Sequence, residues 1–118
     1  MPVTKVIPVL AVRDLGEALR YYGEVLGFTE AWTFGEPAHR AGVTLDAIEL
    51  QLDAAGLGAP PGQSTVYCHM TGIDTYFAEC RRRGATFWRE LAPRPWGVRD
   101  FQVADPSGNK LGFAELLS

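Results

Sequence analysis

The sequence predicts an α+β fold: two βαβββ units in tandem whose strands make a curved mixed sheet with the helices outside. Three observations carry this expectation. Stretches of two-residue alternation and stretches of helical period follow one another as strand, helix, strand, strand, strand, and that order occurs twice. The helix endings match, since "VLGF" (25–28) and "RRGATF" (82–87) each put glycine at the stop and an aromatic soon after. Between the runs lies "AAGLGAPPGQS", the one linker-like stretch. A repeat of about 50–60 residues means two copies of one supersecondary unit, each too small to bury its own sheet face. The expectation is one domain over 1–118, with repeats near 3–54 and 63–118 and a linker near 54–63.

Each element has its own grounds. "KVIPVLAV" (5–12) alternates like a strand, and Pro8 inside it cannot donate to a ladder, which places it at an edge, at a bulge or in another subunit. Asp14 then stands as N-cap with Glu17 three residues on, opening a helix whose stripe is Leu15, Leu19, Tyr22 and Leu26. Gly27 ends it. Strands follow at 29–34, 39–45 and 47–53, separated by "GEP" and "LD" turns. In the third, Ile48, Leu50 and Leu52 share one face, and Glu49 and Gln51 the other. The second run repeats the scheme: "STVYCHM", a helix over "GIDTYFAECRRRG" with Ile73, Phe77 and Cys80 inward, then "ATFWREL", "VRDFQVAD" and "KLGFAELL".

Composition excludes several classes of function. A hydrophobic share of 47% with 21% charge suits a folded globular chain and argues against disorder. No apolar run approaches the roughly 18 residues that span a bilayer, and "MPVTKVIPVL" lacks the pattern of a secretory leader, so the cytoplasm is the expected location. A net charge of −3 disfavours nucleic acid. Arg81, Arg82 and Arg83 complement a helix C-terminus. The two cysteines, Cys68 and Cys80, form no CxxC and read as buried free thiols. With two histidines the chain offers no Ser-His-Asp or Cys-His grouping, and adjacent Cys68 and His69 must point to opposite faces of a strand.

The tandem pattern, "VRDLGEALRYYGEVLGF" and "DPSGNKLGFAE" together resemble the vicinal oxygen chelate superfamily, which includes glyoxalase I, extradiol dioxygenases and the bleomycin resistance proteins. The likeness covers nearly the whole chain. It implies that an enzyme would hold a divalent metal on His or Glu of matching strands. Those places fall here on Ile7, Glu49, near Thr65 and on Gly112; only Glu49 is a ligand type, so no metal and no other cofactor is expected. His39, beside a turn, and His69, four residues past its place, read as surface or groove histidines hydrogen-bonded to neighbours.

Within the superfamily the chain is most similar to the bleomycin-binding members, through "IPVLAVRDLGEALRYYGEVLGF" and "RPWGVRDFQVADPSGNKLGFAE". That likeness implies a homodimer with a swapped N-terminal strand, which Pro8 suits, and two grooves that sequester the drug unchanged. The expected ligand is a bleomycin-type glycopeptide or a similar planar cation, with no nucleic acid or membrane partner. Aromatic faces would stack its flat part, at roughly 0.5–1.5 kcal/mol per pair beyond burial, and carboxylates would meet its tail. The expected ligand-binding residues are Trp32, Phe34, Arg40, Glu49, Tyr67, His69, Trp96, Asp100 and Phe113. Trp96 leads, because a large aromatic in a Pro-Trp-Gly turn has little reason to be core, and it matches the family's stacking tryptophan. Trp88 and Phe101 are further aromatic candidates, and Glu30, Glu36 and Asp46 further acids; Asp105 reads as a turn residue. Arg40 stands where close look-alikes tend to have an aromatic, and would repel a cationic tail. The alternatives are a metal-dependent glyoxalase- or dioxygenase-like enzyme and a binder of another planar molecule.

Overall fold

The computed structural model describes residues 1–56 and 60–117. The first run is β1 (Val9–Ala11), α1 (Leu15–Arg20, continued by a π-helical turn over Tyr21–Val25), β2 (Thr29–Gly35), β3 (Ala38–Leu45) and β4 (Ile48–Asp53). The second is β5 (Thr65–His69), α2 (Ile73–Arg82), β6 (Thr86–Arg94), β7 (Val98–Ala104) and β8 (Lys110–Leu116). The strand–helix–three-strand order expected from the sequence therefore occurs twice. Part of the expected linker, residues 57–59, lies outside the described residues. Each run forms a four-stranded mixed sheet, ordered β1-β4-β3-β2 and β5-β8-β7-β6. β1–β4 and β5–β8 are parallel, and the remaining pairs are antiparallel.

The first strand is shorter than the alternation of 5–12 suggests. Pro8 contributes only its carbonyl, which accepts from Gln51 N at 2.9 Å, and the ladder starts at Val9. Upstream, Val3 and Val6 are each 84% exposed. In α1, Asp14 caps as expected, its Oδ1 accepting from Glu17 N at 2.8 Å. The Glu17 carboxylate turns to Arg13 at 2.7 Å instead of returning to the cap. Leu15, Ala18, Tyr22 and Leu26 are the buried stripe, and Leu19 is half-buried at its flank.

One core joins both runs: Leu10, Val43, Leu50 and Leu52 lie in the same cluster as Ile73, Phe101, Val103 and Leu111. Polar ties cross it. The Tyr22 hydroxyl donates to Asp105 at 2.8 Å, and the Tyr76 hydroxyl to the Leu26 carbonyl at 2.6 Å. Asp105 Oδ1 accepts from the N–H groups of Ser107, Gly108 and Asn109, and the Asn109 amide donates to the Ala11 carbonyl. Cys68 and Cys80 are buried free thiols, and burial pushes both above the ordinary thiol pKa. No helix among the described residues is long and apolar enough to cross a membrane.

Candidate functional site

Strand alternation gives each sheet two faces. Ala41, Val43, Leu50 and Leu52, like Cys68, Phe101, Leu111 and Phe113, are buried with helix residues in the core. The opposite faces are open, and they carry the exposed aromatics. Trp32 is 37% exposed, Phe34 65%, Tyr67 39%, Trp88 60% and Trp96, in the turn before β7, 59%. This exposed aromatic surface makes the open faces the candidate site.

Two of these rings lie across glycines. A Cβ on Gly42 would stand 2.3 Å from Trp32 Nε1 and 2.5 Å from its Cε2, so the indole covers the β3 backbone. A Cβ on Gly112 would stand 2.6 Å from Tyr67 Cδ1, and the phenol ring covers β8 in the same way. Gly42 is the cross-strand partner of Trp32, and Gly112 that of Tyr67. An aromatic laid over a glycine gains the space of the missing side chain and offers its outer face for stacking.

The Tyr67 ring is held at its far end. Its hydroxyl donates to Asp100 Oδ2 at 2.6 Å and accepts from Trp96 Nε1 at 3.3 Å. Arg94 Nε donates to the other Asp100 oxygen at 2.6 Å. Burial, then the bond to Asp100, pushes the Tyr67 phenol above its ordinary pKa, so it remains a donor near neutrality. A chain Arg94–Asp100–Tyr67–Trp96 thus fixes two of the expected stacking residues. In the first sheet Arg40 plays Arg94's part: it donates to Asp53 at 2.9 Å and to Gln51 at 3.0 Å. The N–H of Ala55, and then the Arg40 guanidinium, hold the Asp53 carboxyl below the usual carboxylate range.

That depression has a testable sign. Asp53 stabilises the fold fully above the ordinary carboxylate value of about 4, and the contribution disappears as pH falls through its lower folded value. Urea midpoints measured from about pH 6 down to pH 2 should therefore fall more steeply for the wild type than for Asp53→Asn. Parallel curves would remove the assignment.

Trp32, Phe34, Arg40, Glu49, Tyr67, His69 and Asp100 all stand on open faces by strand register, and Trp96 joins them through Tyr67. Phe113 does not. It is 2% exposed, one residue past Gly112 and hence on the core side, with its ring edge-on to Tyr76 at 5.0 Å; Phe101 is core as well. The carboxylates differ from the expectation in availability. Glu49 is taken by Lys5 at 2.9 Å, and Asp100, 2% exposed, has both oxygens bonded. His69 sets its ring edge-on to Tyr67 at 5.8 Å. His39 lies edge-on to Phe34 at 5.7 Å, but among the described residues its buried Nδ1 has no hydrogen-bond partner, unlike the bonded histidine expected.

Sequence reasoning missed Gly42, Asp53 and Arg94. A signal existed for the first: a glycine opposite an aromatic in paired alternating segments marks a covered backbone. The arginine–aspartate pairs had none, since they depend on register.

The places where the resemblance puts metal ligands do not fit a divalent ion. Gly112 has no donor and the Tyr67 ring fills the space of its side chain, Ile7 is aliphatic, and Glu49 is engaged by Lys5. Among the described residues no three His, Cys, Asp or Glu side chains come together.

The fold and this face define a tandem βαβββ protein whose open sheet surfaces carry aromatic platforms. The chain belongs to the Glyoxalase/Bleomycin resistance protein/Dioxygenase superfamily, whose family model matches residues 6–113. Among solved structures it is similar to TioX from Micromonospora sp. ML1 (TM-score 0.83, 20% identity, covering 98% of this chain and 100% of that one). It is similar also to TnmS3, an antibiotic binding protein from Streptomyces sp. CB03234 (TM-score 0.80, 22% identity, 98% and 99% covered). A third is the bleomycin-binding protein of bleomycin-producing Streptomyces verticillus, complexed with copper(II)-bleomycin (TM-score 0.77, 23% identity, 96% of each chain). At these identities the likeness is one of fold. No match was found among curated protein sequences.

Proposed function

We propose that the protein binds and sequesters a planar aromatic antibiotic without altering it, in grooves completed by a second copy of the chain. A bleomycin-type glycopeptide is the reference case. The observation that carries the reading is the set of exposed aromatics on the open faces, with Trp32 and Tyr67 laid over glycines as stacking platforms. Each stacked pair is worth roughly 0.5–1.5 kcal/mol beyond area burial, so several in one groove supply useful affinity without chemistry. Support for a non-catalytic role comes from the misfit of the metal positions. Support for the second copy comes from residues 1–8, which leave the ladder at Pro8 and expose Val3 and Val6. Likeness of fold to two antibiotic-binding proteins agrees with this reading.

The test is a titration with metal-free bleomycin, followed by tryptophan fluorescence and calorimetry, with the mass of the same sample measured by sedimentation. Saturable binding near two drugs per dimer is expected, weakened by about tenfold in Trp96→Ala, since a lost stacking partner of about 1.4 kcal/mol is a factor of ten. A flat titration of folded dimer would remove bleomycin-type drugs as ligands.

A further inference from the structure

We infer that the planar ligand of the open face carries a negative charge beside its ring system, so that the face selects aromatic anions over aromatic cations. The inference rests on the stacking reading above and adds the sign of the ligand, so that a cationic drug such as metal-free bleomycin is expected to bind more weakly than a planar anion of similar size.

It follows from an account of the charges by strand register. Three carboxylates stand on the open faces: Glu49 and Asp53 on the first sheet and Asp100 on the second. Each is already held by a cation of the same face: Glu49 by Lys5 at 2.9 Å, Asp53 by Arg40 at 2.9 Å and Asp100 by Arg94 at 2.6 Å. Asp53 and Asp100 are also buried, at 6% and 2% exposure. A ligand ammonium would have to displace an arginine to reach either, and would leave a guanidinium without its partner. Of the other strand acids, Glu90 is held by Arg81 on α2, Glu115 accepts from Ile73 N at the start of α2, and Glu30 pairs across the ladder with the core residue Val43.

Two cations on the open face remain. Arg89 is paired across the ladder with Gln102, which is itself paired with Gly112 under the Tyr67 ring. Lys110 precedes Gly112 by two residues on the same face; its Nζ donates to the Gly108 carbonyl at 2.6 Å and stands 4.6 Å from the centre of the exposed Trp88 ring. Among the described residues neither Arg89 nor Lys110 pairs with a carboxylate. The chain as a whole is acidic at −3, yet this face is locally cationic. The face that carries the Tyr67 platform therefore has, towards β6 and Trp88, two cations without a carboxylate partner among the described residues, and a carboxylate, sulfonate or phenolate on a stacked ring system would be drawn in there.

The test uses three flat probes of one shape, 1-pyrenecarboxylate, 1-pyrenemethanol and 1-pyrenemethylammonium. Each is titrated by calorimetry into the full chain at about pH 7.5, where the first and last are fully charged. The carboxylate is expected to bind about tenfold tighter than the ammonium, with the alcohol between them. Raising salt from about 20 to 300 mM should weaken the carboxylate several-fold and leave the alcohol unchanged. In Arg89→Gln/Lys110→Gln the preference should shrink to within about threefold, with alcohol binding retained. Equal binding of all three, or tightest binding of the ammonium, overturns the inference while leaving the stacking face in place. Binding of none of them to folded protein overturns the stacking reading and the inference together. Should the double variant fail to fold, the salt series on the wild type decides alone.

Discussion

Arg94→Ala is expected to lower folding stability by about 3–5 kcal/mol, the cost of leaving a buried charge without its partner. Asp100 is 2% exposed, and among the described residues Arg94 is the one cation bonded to it, through Nε at 2.6 Å. The Tyr67 hydroxyl would still donate to Oδ2, but a neutral donor does not offset a buried carboxylate. Replacing both partners, Arg94→Leu with Asp100→Leu, should recover most of the loss, because an apolar pair of similar shape needs no charge compensation. Urea denaturation of the single and double variants measures this. A single-variant loss below about 1 kcal/mol would mean that water already solvates Asp100 from the open face. The same substitution should weaken ligand binding, since Asp100 orients Tyr67 and Tyr67 holds the Trp96 indole.

The second large effect lies away from the open face. Asp105→Ala is expected to cost about 4–5 kcal/mol, the upper range for loss of a buried hydrogen-bond network. Asp105 is 4% exposed; its Oδ1 accepts from three backbone N–H groups, and its Oδ2 from the Tyr22 hydroxyl and the Asn109 amide. Burial, reinforced by the Asp105 charge, pushes the Tyr22 phenol far above its ordinary pKa, so it serves as a donor at any pH the fold survives. Tyr22 belongs to the first run and Asp105 to the second. The substitution should therefore loosen the joint between them, and transitions by tryptophan fluorescence and by circular dichroism should no longer coincide. Asp105→Asn keeps an acceptor for the turn and should lose about half as much. Coincident transitions with a loss under about 2 kcal/mol would show that Asp105 serves its own turn only.

These residues show where reading the chain stops. Asp105 was legible as a turn residue, because Asp-Pro-x-Gly-Asn is a local pattern whose donors lie within four residues. Its tie to Tyr22 was not, because 83 positions separate the two. Trp96 was legible as an exposed aromatic from its turn, and alternation put Trp32 with Phe34, and Tyr67 with His69, on shared faces. Phe113, expected among the ligand residues, is buried on the core side: its neighbour Gly112 stands on the open face, and a shift of one residue exchanges the faces. Alternation put Glu49 opposite Ile48, Leu50 and Leu52, and Asp100 was expected as a ligand acid, but whether a carboxylate is available depends on its neighbours, and Lys5 and Arg94 hold both.

By itself, the sequence determined the two βαβββ runs, the Asp14 cap, the tight turn and the shared face of Trp32 and Phe34, because period, capping and turn chemistry act over a few residues. Tertiary structure decided the rest. It set which rings lie over glycines, which acids are neutralised, and which charge the open face presents. Those follow from strand register and from contacts across tens of residues, where a single-position shift reverses the outcome.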